Sequence, residues 1–399
     1  MIMTMTREEL ADKYQIDMWP AEKIKDFQKT LLDWFDKEGR DLPWRQSKNP
    51  YPIWISEIML QQTQVQTVIP YFNAFMEKFP TVKHLAEADE DEVLKMWEGL
   101  GYYSRARNLH TAAKQIMTEF SGRFPDCYND LLKLKGVGPY TAAAIASMAF
   151  DEPVAAIDGN LMRVFARLFE IGLDTKNQSN RKVFQAVGQF LIDPVRPGDF
   201  NQALMDLGAT ICTPQNYHPE KSPIKEFNAS YLNDTWAEYP VTSKNKPPVK
   251  NRYFALVLTD KKGRVLIEQR PEDGLLAKLW TYPLVHENEL LAQEGTGIKK
   301  AFLGRNRKEI SLQEKERITE IVKDRYGCDI CLDSELKGEV EHVFSHRLWE
   351  IDLFEGEICG EDIANVDHLR LVTSDELDEI TLPTVQKKMM NNYHQLNLF

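Results

Sequence analysis

The sequence is poor in cysteine: five scattered positions among 399 residues carry one. Small secreted domains held by disulfides carry an even and much denser set. The composition therefore excludes a disulfide framework and predicts free thiols in a reducing compartment.

Cys328 and Cys331 form a C-x2-C pair, but a zinc site needs about two further ligands. Cys359, His342 and His346 do not stand at a zinc-site spacing, so we interpret these cysteines as strand or loop thiols.

Long apolar runs are missing as well. No run of eighteen apolar residues occurs, and the opening MIMTMTREELADKYQIDMWP has no apolar core of the kind found in signal peptides. We therefore expect an intracellular protein without a membrane partner. The length allows two or three domains, each with its own core.

The sequence has no excess of positive charge. Its 49 Lys and Arg residues stand against 61 Asp and Glu residues, which gives a net charge of -12. Sequence-independent affinity for nucleic acid comes from Lys and Arg that neutralise phosphates, so this balance argues mildly against DNA binding. It does not exclude DNA, because a bound duplex experiences the local field of one face.

The chain divides into a helical part and a mixed part. Apolar residues at i, i+3 and i+4 recur from about Lys23 to Trp236, for example in FQKTLLDWF, RNLHTAAKQIMTEF and RKVFQAVGQFLI. Beyond it, RYFALVLTDKKGRVLIEQR predicts a β-hairpin with a turn at Gly263, and EKERITEIVKDRYG predicts a helix ended by Gly327. We predict an N-terminal extension at 1–22, an all-α domain at 23–237, a linker at 238–251 and an α+β domain at 252–395.

The stretch LLKLKGVGPYTAAAIASMAF predicts two helices joined by a turn at Gly136, Val137 and Gly138. Glycines allow close approach of a polyanion, and the N–H groups at a helix N-terminus bind phosphate. Asp158 follows in VAAIDGNLMRVFARL, just ahead of another helix. Alone, the turn could be a plain helix connection and Asp158 a helix cap, but the combination at this spacing is specific.

LKGVGPYTAAAIA followed by VAAIDGN resembles the helix-hairpin-helix DNA glycosylase superfamily, and within it the MutY family of adenine DNA glycosylases. The long segments at 40–72 and 97–109 are similar to that family's signature segments, and the likeness covers nearly the whole chain. The resemblance implies a helix-hairpin-helix glycosylase domain followed by a NUDIX-like domain. It also implies removal of adenine paired with 8-oxoguanine or guanine in duplex DNA, as a step of base excision repair.

Hydrolysis of an N-glycosidic bond needs an acid for the leaving base and a carboxylate for the cationic sugar. Glu57 lies among apolar residues that raise its pKa, whereas a helix N-terminus keeps Asp158 ionised. By the resemblance, Glu57 protonates adenine and activates water, Asp158 stabilises the sugar, and Tyr140 and Asn160 lie beside them. Related glycosylases that also cut the strand carry a lysine in place of Tyr140, which forms a Schiff base. We therefore expect no efficient strand cleavage.

A base inside the duplex must be flipped out before it can be cut. By the resemblance, Gln62 and Tyr102 occupy wedge positions, although Tyr102 could instead be a core aromatic. Lys135 replaces a proline usual before Gly136 and is predicted to contact phosphate. Arginines here could be ordinary surface charge, but we favour phosphate contacts. The predicted DNA-binding set is Arg45, Gln62, Thr63, Tyr102, Arg105, Lys135, Gly136, Val137 and Gly138.

The second domain resembles the NUDIX-like domain that this family uses to read 8-oxoguanine. The positions of a magnesium-binding Nudix box before Gly327 do not carry its acidic pairs. Phe344, Ser345 and His346 match the family's loop that faces the lesion, and Leu100 joins them as a predicted recognition residue. Oxidation turns a guanine ring nitrogen into an N–H donor, which the Ser345 hydroxyl can accept. The alternative is a strand serine paired with backbone.

Most members of the resembling family carry an iron-sulfur loop with four cysteines. Here Cys212 matches the first position, while Pro219, Ser222 and Asn228 occupy the others. A cluster needs about four thiolates, so we predict a variant with a degenerate loop at 212–228 and neither cofactor nor metal. We expect a monomer that binds duplex DNA containing adenine opposite 8-oxoguanine, in a bacterial cytoplasm at the nucleoid. Rival functions are a strand-cutting glycosylase-lyase, a non-catalytic damage binder and a nucleotide pyrophosphohydrolase.

Overall fold

A computed structural model describes residues 5–291, 308–359 and 367–396 of the chain. The chain forms two units, one bounded by Met1–Glu90 and Arg105–Lys244, the other by Asp91–Ser104 and Asn245–Phe399. The segment Asp91–Ser104 interrupts the first unit in sequence but belongs to the second unit, which was not predicted from the sequence. Among the helices of the described ranges, none is long and apolar enough to cross a membrane.

The described part of the first unit holds helices and 3₁₀ turns and no strand, which confirms the predicted all-α domain. Its elements are α1 (Arg7–Tyr14), α2 (Ala21–Glu38), η1 (Pro43–Arg45), α3 (Pro50–Met59), α4 (Val65–Lys78), α5 (Val82–Glu87), α7 (Ser104–Glu119), α8 (Tyr128–Leu131), α9 (Pro139–Phe150), α10 (Gly159–Leu168), η2 (Gln178–Asn180), α11 (Arg181–Leu191), α12 (Pro197–Thr210), η3 (Pro219–Lys221), η4 (Lys225–Phe227), α13 (Ala229–Leu232) and η5 (Trp236–Glu238). Between α5 and α7 lies α6 (Glu90–Met96), most of which belongs to the second unit.

Apolar faces of α2, α10, α11 and α12 build one core of this unit. The predicted N-terminal extension at 1–22 contributes Leu10, Ile16 and Trp19 to the same core. Residues 57–75, which have a helical spacing of apolar residues, are divided between two helices. The first, α3, ends at Met59, and α4 begins at Val65. The loop between them borders the candidate site described below.

The described residues of the second unit form a mixed sheet of eight strands with helices on both faces, which confirms the α+β prediction. Its elements are β1 (Val249–Thr259), β2 (Val265–Gln269), β3 (Trp280–Thr281), β4 (Leu284–His286), α14 (Glu287–Leu291), α15 (Leu312–Tyr326), β5 (Asp329–Leu332), β6 (Gly338–Val343), β7 (Arg347–Cys359), β8 (Leu369–Val372), α16 (Ser374–Glu379) and α17 (Thr384–Leu396). The strand order is β3-β2-β1-β7-β5, with β4 on β1, β6 on β7 and β8 on β2.

The pairing of β1 with β7 is parallel, and the other pairs are antiparallel. One sheet face packs against α14 and α15 through residues such as Phe254, Phe354 and Ile318. The other packs against α16 and α17 through residues such as Trp349 and Met389. The predicted hairpin turn is present with Gly263 at φ +76°, and α15 ends at Gly327 as predicted.

Two predictions from the sequence need correction here. First, β1 begins at Val249, inside the predicted linker 238–251, because this end pairs with Arg347 of β7. Second, Cys331 and Cys359 form a disulfide rather than two thiols, with their Cα atoms 6.4 Å apart. They lie on the neighbouring strands β5 and β7, whose register is set by the fold and is not visible in the cysteine spacing.

Candidate functional site

Glu57 is placed by α3 with its side chain turned into the first unit, so that the residue is only 5% exposed. Burial raises the pKa of its carboxyl to about 7, because the charged form loses its hydration. A hydrogen bond from Tyr140 and the charge of Arg45 lower the pKa, while Asp158 raises it further. Glu57 is therefore poised to hold a proton near neutral pH, as an acid catalyst must.

Asp158 is the N-cap of α10, where its carboxylate accepts the Leu161 N–H at 2.8 Å and the Asn160 side-chain N–H at 3.0 Å. Burial raises its pKa above the ordinary value, while the N–H groups of Leu161 and Asn160 lower it. The sequence predicted only the lowering of the Asp158 pKa at the helix N-terminus. It did not predict the rise caused by burial, because burial depends on which groups pack around Asp158.

Tyr140 lies in the first turn of α9 and bonds to Glu57. Burial, together with the neighbouring carboxyls of Glu57 and Asp158, holds its pKa well above the ordinary value, so it remains a neutral phenol. The three groups line one cavity of about 800 Å³. That cavity gathers several residues predicted from distant parts of the sequence, namely Glu57, Gln62, Thr63, Gly136, Gly138, Tyr140, Asp158 and Asn160.

The turn between α8 and α9 adopts the tight geometry that its glycines allow. Gly136 has φ +77°, and a Cβ there would come within 2.7 Å of the Asn108 Cβ. Gly138 has an ordinary φ of -89° and open space around it. The side chain of Gln115 accepts the Lys135 backbone N–H at 2.7 Å and so fixes the turn to α7. Lys135 is exposed, whereas Val137 is buried and supports the turn from within.

Two arginines predicted to bind phosphate are bonded to groups of the protein itself. Arg105 donates through Nη1 to the carbonyls of Ile58, Met59 and Gln61 at 2.6–3.1 Å and so caps the C-terminus of α3. Arg45 forms an ion pair with the buried Asp206. The fold shows whether an arginine meets carbonyl groups or a carboxylate. The sequence cannot show this, because it gives only the residue type and not the group that the side chain binds.

The cavity also contains a residue that the sequence did not single out. Arg181, the first residue of α11, lines it and donates to the Ile157 carbonyl beside Asp158. Its charge acts on Tyr140. The segment SNRKVF has no pattern that distinguishes this arginine from a surface one. Gln62 is exposed at the cavity rim with φ +59°, a left-handed conformation that is uncommon for residues other than glycine.

In the second unit, Phe344–His346 forms the connection between β6 and β7. Phe344 packs edge-on against Trp349 and His342, while Ser345 and His346 are exposed. The hydroxyl of Ser345 is hydrogen-bonded to the Tyr102 hydroxyl. A predicted wedge and a predicted lesion reader, 243 positions apart in the chain, therefore touch within one unit.

The segment that carries Tyr102 is fastened to the C-terminal part of the same unit. Lys95 donates to the Asp378 carbonyl at 2.7 Å, and Glu98 pairs with Lys387 at 2.9 Å. Tyr102 is 46% exposed with φ +48°, whereas the side chain of Leu100 is buried. Leu100 is thus part of the packing of this segment, whereas Tyr102 is a large aromatic side chain that the segment exposes to solvent.

The degenerate loop packs into the core of the first unit through Cys212, Tyr217 and Ile224. Its four positions supply one thiolate, so this donor set does not fit an iron-sulfur cluster. The described ranges contain no group of three His, Cys, Asp or Glu side chains that could hold a metal ion. Instead, the Cys212 Sγ accepts from Arg167 at 3.3 Å, and the Asn228 amide donates to the Tyr217 hydroxyl at 2.8 Å.

This loop is linked by hydrogen bonds to the candidate catalytic carboxylate. Arg163 donates to the Cys212 carbonyl at 2.8 Å and to the Asn160 side-chain oxygen at 3.0 Å. Asn160 in turn donates to Asp158 at 3.0 Å. A chain of three hydrogen bonds thus connects the loop backbone to the Asp158 carboxylate.

Comparison with known families gives two matches that agree with the two units. A model described as "HhH-GPD superfamily base excision DNA repair protein" matches residues 55–189. A NUDIX domain model matches residues 254–392. The first range contains both carboxylates and the glycine turn, and the second contains the Phe344–His346 loop.

Curated relatives match along most of the chain. The adenine DNA glycosylase of Arabidopsis thaliana is 36% identical, over 94% of this chain and 65% of the plant protein. The adenine DNA glycosylase of Rattus norvegicus is 34% identical, over 92% of this chain and 78% of the rat protein. Among solved structures, a thermostable thymine-DNA glycosylase is 31% identical, with a TM-score of 0.49 over 53% of this chain and 98% of its own.

Proposed function

Because this chain belongs to the adenine DNA glycosylase family, we propose that it is a DNA N-glycosylase that removes adenine paired with 8-oxoguanine or guanine in duplex DNA. The observation that carries the proposal is the pair Glu57 and Asp158 in one cavity, with the pKa of Glu57 raised to about 7. Two carboxyls with distinct surroundings can divide the acid and the cation-stabilising roles. This reaction is a step of base excision repair.

The proposed chemistry uses the chain's own groups. Protonated Glu57 donates its proton to the purine ring of the flipped adenine, which makes the base a better leaving group. The sugar then develops positive charge, which the carboxylate of Asp158 stabilises. Glu57, now ionised, accepts a proton from the attacking water. Tyr140 has a hydroxyl where a strand-cutting enzyme needs an amine, so the product is an abasic site in an intact strand.

Duplex binding is supported by the hairpin that ends in α9. The N–H groups at the start of a 12-residue helix carry partial positive charge and suit a backbone phosphate. Gly138 leaves open space at that point, because no neighbouring group lies within 4 Å of the position that a Cβ would take. Such contacts are independent of sequence, so they hold the duplex while other residues choose the base.

We assign the reading of 8-oxoguanine to the exposed Ser345 hydroxyl. An O–H group can accept the N–H that oxidation adds to the guanine ring, whereas unoxidised guanine presents an acceptor at that edge. One chain carries the two carboxylates and this loop, so a monomer contains every group that the proposal needs.

We further propose that the glycosylase domain folds without an iron-sulfur cluster. Support comes from the buried residues that occupy three of the four positions, Pro219, Ser222 and Asn228. Asn228 caps α13 and bonds to Tyr217, whose ring lies 4.1 Å from the Arg167 guanidinium. Polar and apolar packing thus supplies the cross-links between distant segments that metal-thiolate bonds would provide.

The test is single-turnover release of adenine from duplexes that pair adenine with 8-oxoguanine, guanine or thymine. We expect excision from the first two and not from the third, and strand breaks only after treatment with hot alkali. Asp158→Asn serves as the control, and it should bind the duplex but release no adenine. Tight binding of the lesion duplex without excision by the wild-type chain would instead identify a damage-binding protein.

A further inference from the structure

Asp206, in the middle of α12, is a buried carboxylate with an unusual number of donors. Its side chain is 1% exposed. Arg40 donates to it through the backbone N–H, Nε and Nη2 at 2.6–2.9 Å. Arg45 donates through both terminal nitrogens at 2.8 Å. Burial opposes the ionisation of Asp206, but the hydrogen bonds from Arg45 and Arg40 outweigh it and lower its pKa.

Arg45 brings this cluster to the proposed acid. It lies in η1, just ahead of α3, and lines a cavity of about 330 Å³ together with Ser56, whereas Glu57, the next residue of α3, lines the cavity of about 800 Å³. The positive charge of Arg45 acts on Glu57 and favours its ionised form. The guanidinium is also fixed by a bond to the Arg40 carbonyl at 3.0 Å and by the face of Phe35. Its position relative to Glu57 is therefore determined by groups that do not belong to the reaction.

The charges of the cluster do not cancel. Two guanidinium groups share one carboxylate, which leaves a net charge of about +1. Removal of the carboxylate would raise this charge, whereas removal of the outer guanidinium of Arg40 would bring it to about zero. Because opposite charge stabilises a carboxylate and like charge destabilises it, the two changes should act on Glu57 in opposite directions.

We propose that Asp206 is a positioning residue for excision: it fixes Arg45 on the turn ahead of α3, the helix that carries Glu57, and offsets part of the positive charge that acts on Glu57, so that Glu57 keeps the proton that adenine requires. The proposal rests on the glycosylase function proposed above. Asp206 touches neither Glu57 nor any group assigned to the chemistry, and it acts through Arg45.

Other groups also act on Glu57 and must stay unchanged in a test. Tyr140 reaches it from α9, and Asp158 from the start of α10. Arg181 of α11 lines the cavity of about 800 Å³ together with Glu57. None of the three is hydrogen-bonded to the side chain of Asp206 or Arg40. Tyr140 meets α12 at the Met205 sulfur, 3.9 Å from its hydroxyl, so the substitution of Asp206 must keep the size of the side chain, as Asn does.

The experiment is the pH profile of single-turnover adenine release by the full chain and by Asp206→Asn. If the pKa of Glu57 falls by about one unit from its value near 7, the protonated fraction drops about tenfold at pH 8 and about twofold at pH 6. We therefore expect the rate loss to be larger at alkaline pH. A loss by the same factor at both pH values would show only a structural role and would overturn the proposal.

Arg40→Gln provides the opposite prediction and a second test should Asp206→Asn fold poorly. Arg40 is partly exposed at its side chain, so its replacement disturbs the core less. We expect the rate at pH 8 to rise by about twofold, because Glu57 stays protonated to higher pH, with little change at pH 6. An unchanged or acid-shifted profile would contradict the proposal.

Asp36→Asn is the matched control, because Asp36 pairs with Arg196 at the surface and does not line the cavity that Arg45 shares with Ser56. Its profile should follow that of the wild type. If the wild-type chain releases no adenine, the glycosylase function itself fails. If the wild type is active and all three variants share its pH profile, the role of Asp206 alone is refuted.

Discussion

The contact between Tyr102 and Ser345 determines what each residue can do when DNA arrives. Their hydroxyls are hydrogen-bonded to each other, so the Ser345 oxygen has a partner before it meets a base. Either hydroxyl can be the donor in this bond, and a serine oxygen has two lone pairs, so the Ser345 oxygen can also accept the N–H of 8-oxoguanine. The net gain from one such neutral hydrogen bond is small, about 1 kcal/mol. Discrimination by this hydroxyl should accordingly be modest in size.

Ser345→Ala should reduce the preference for 8-oxoguanine over guanine opposite adenine by roughly two- to tenfold, the equivalent of one hydrogen bond. The measurement compares excision rates and duplex affinities for the two mispairs. Combination with His346→Ala tests whether the neighbouring imidazole adds to the preference. A selectivity equal to that of the wild type would mean that other groups read the lesion.

Tyr102→Phe is the matched variant for this contact, since it keeps the ring and removes only the hydroxyl. It leaves the Ser345 oxygen available to the lesion, so we expect selectivity to be kept or increased. A loss as large as that of Ser345→Ala would indicate that the hydrogen bond itself, rather than the serine oxygen, is needed for recognition.

At the scale of elements, the hairpin before α9 depends on two glycines for different physical reasons. Gly136 combines a left-handed backbone with a close approach to Asn108. Gly138 has neither feature, because its φ is ordinary and no atom lies within 4 Å of the Cβ position. Its lack of a side chain matters only to something that comes from outside, such as a phosphate.

Gly136→Ala should therefore destabilise the folded chain by more than about 1 kcal/mol, through strain and overlap. Gly138→Ala should leave the thermal unfolding midpoint unchanged and weaken duplex binding. Thermal unfolding and binding to a duplex of fixed sequence, each at fixed salt, separate the two effects. Full affinity in Gly138→Ala would exclude close phosphate approach at this turn.

At the scale of the whole molecule, the degenerate loop is tied into a core that reaches from the N-terminal segment to α12. Leu10 and Trp19 pack in the same cluster as Cys212, Tyr217 and Ile224. Arg163 then links the loop to the catalytic side through Asn160. These contacts support our proposal that the domain does not depend on four thiolates for its closure.

The purified chain should accordingly contain far less than one iron atom per molecule and show no visible absorption from a cluster. Treatment with an iron chelator should leave both adenine release and the thermal unfolding midpoint unchanged. Stoichiometric iron, or loss of activity on chelation, would refute the proposed metal-free domain. The Asp158→Asn variant, purified in the same way, shows whether a contaminating glycosylase contributes to the measured release of adenine.

The sequence by itself determined those properties that depend on local patterns. Helical periodicity, the Gly136–Gly138 turn and the hairpin at Gly263 are encoded in contiguous residues, so both domain types and the candidate carboxylates could be predicted. The missing thiolates at 219, 222 and 228 are equally visible, because a ligand set is a matter of residue type.

Only the tertiary structure decided which polar groups meet. The ion pair of Arg45 with Asp206, the bonds of Arg105 to α3, the disulfide between β5 and β7, and the contact of Tyr102 with Ser345 all join residues more than 25 positions apart. Hydrogen bonds and ion pairs depend on distances of a few ångströms, which are set by how whole elements pack. A chain pattern specifies which groups are available, and the fold specifies which partner each of them finds.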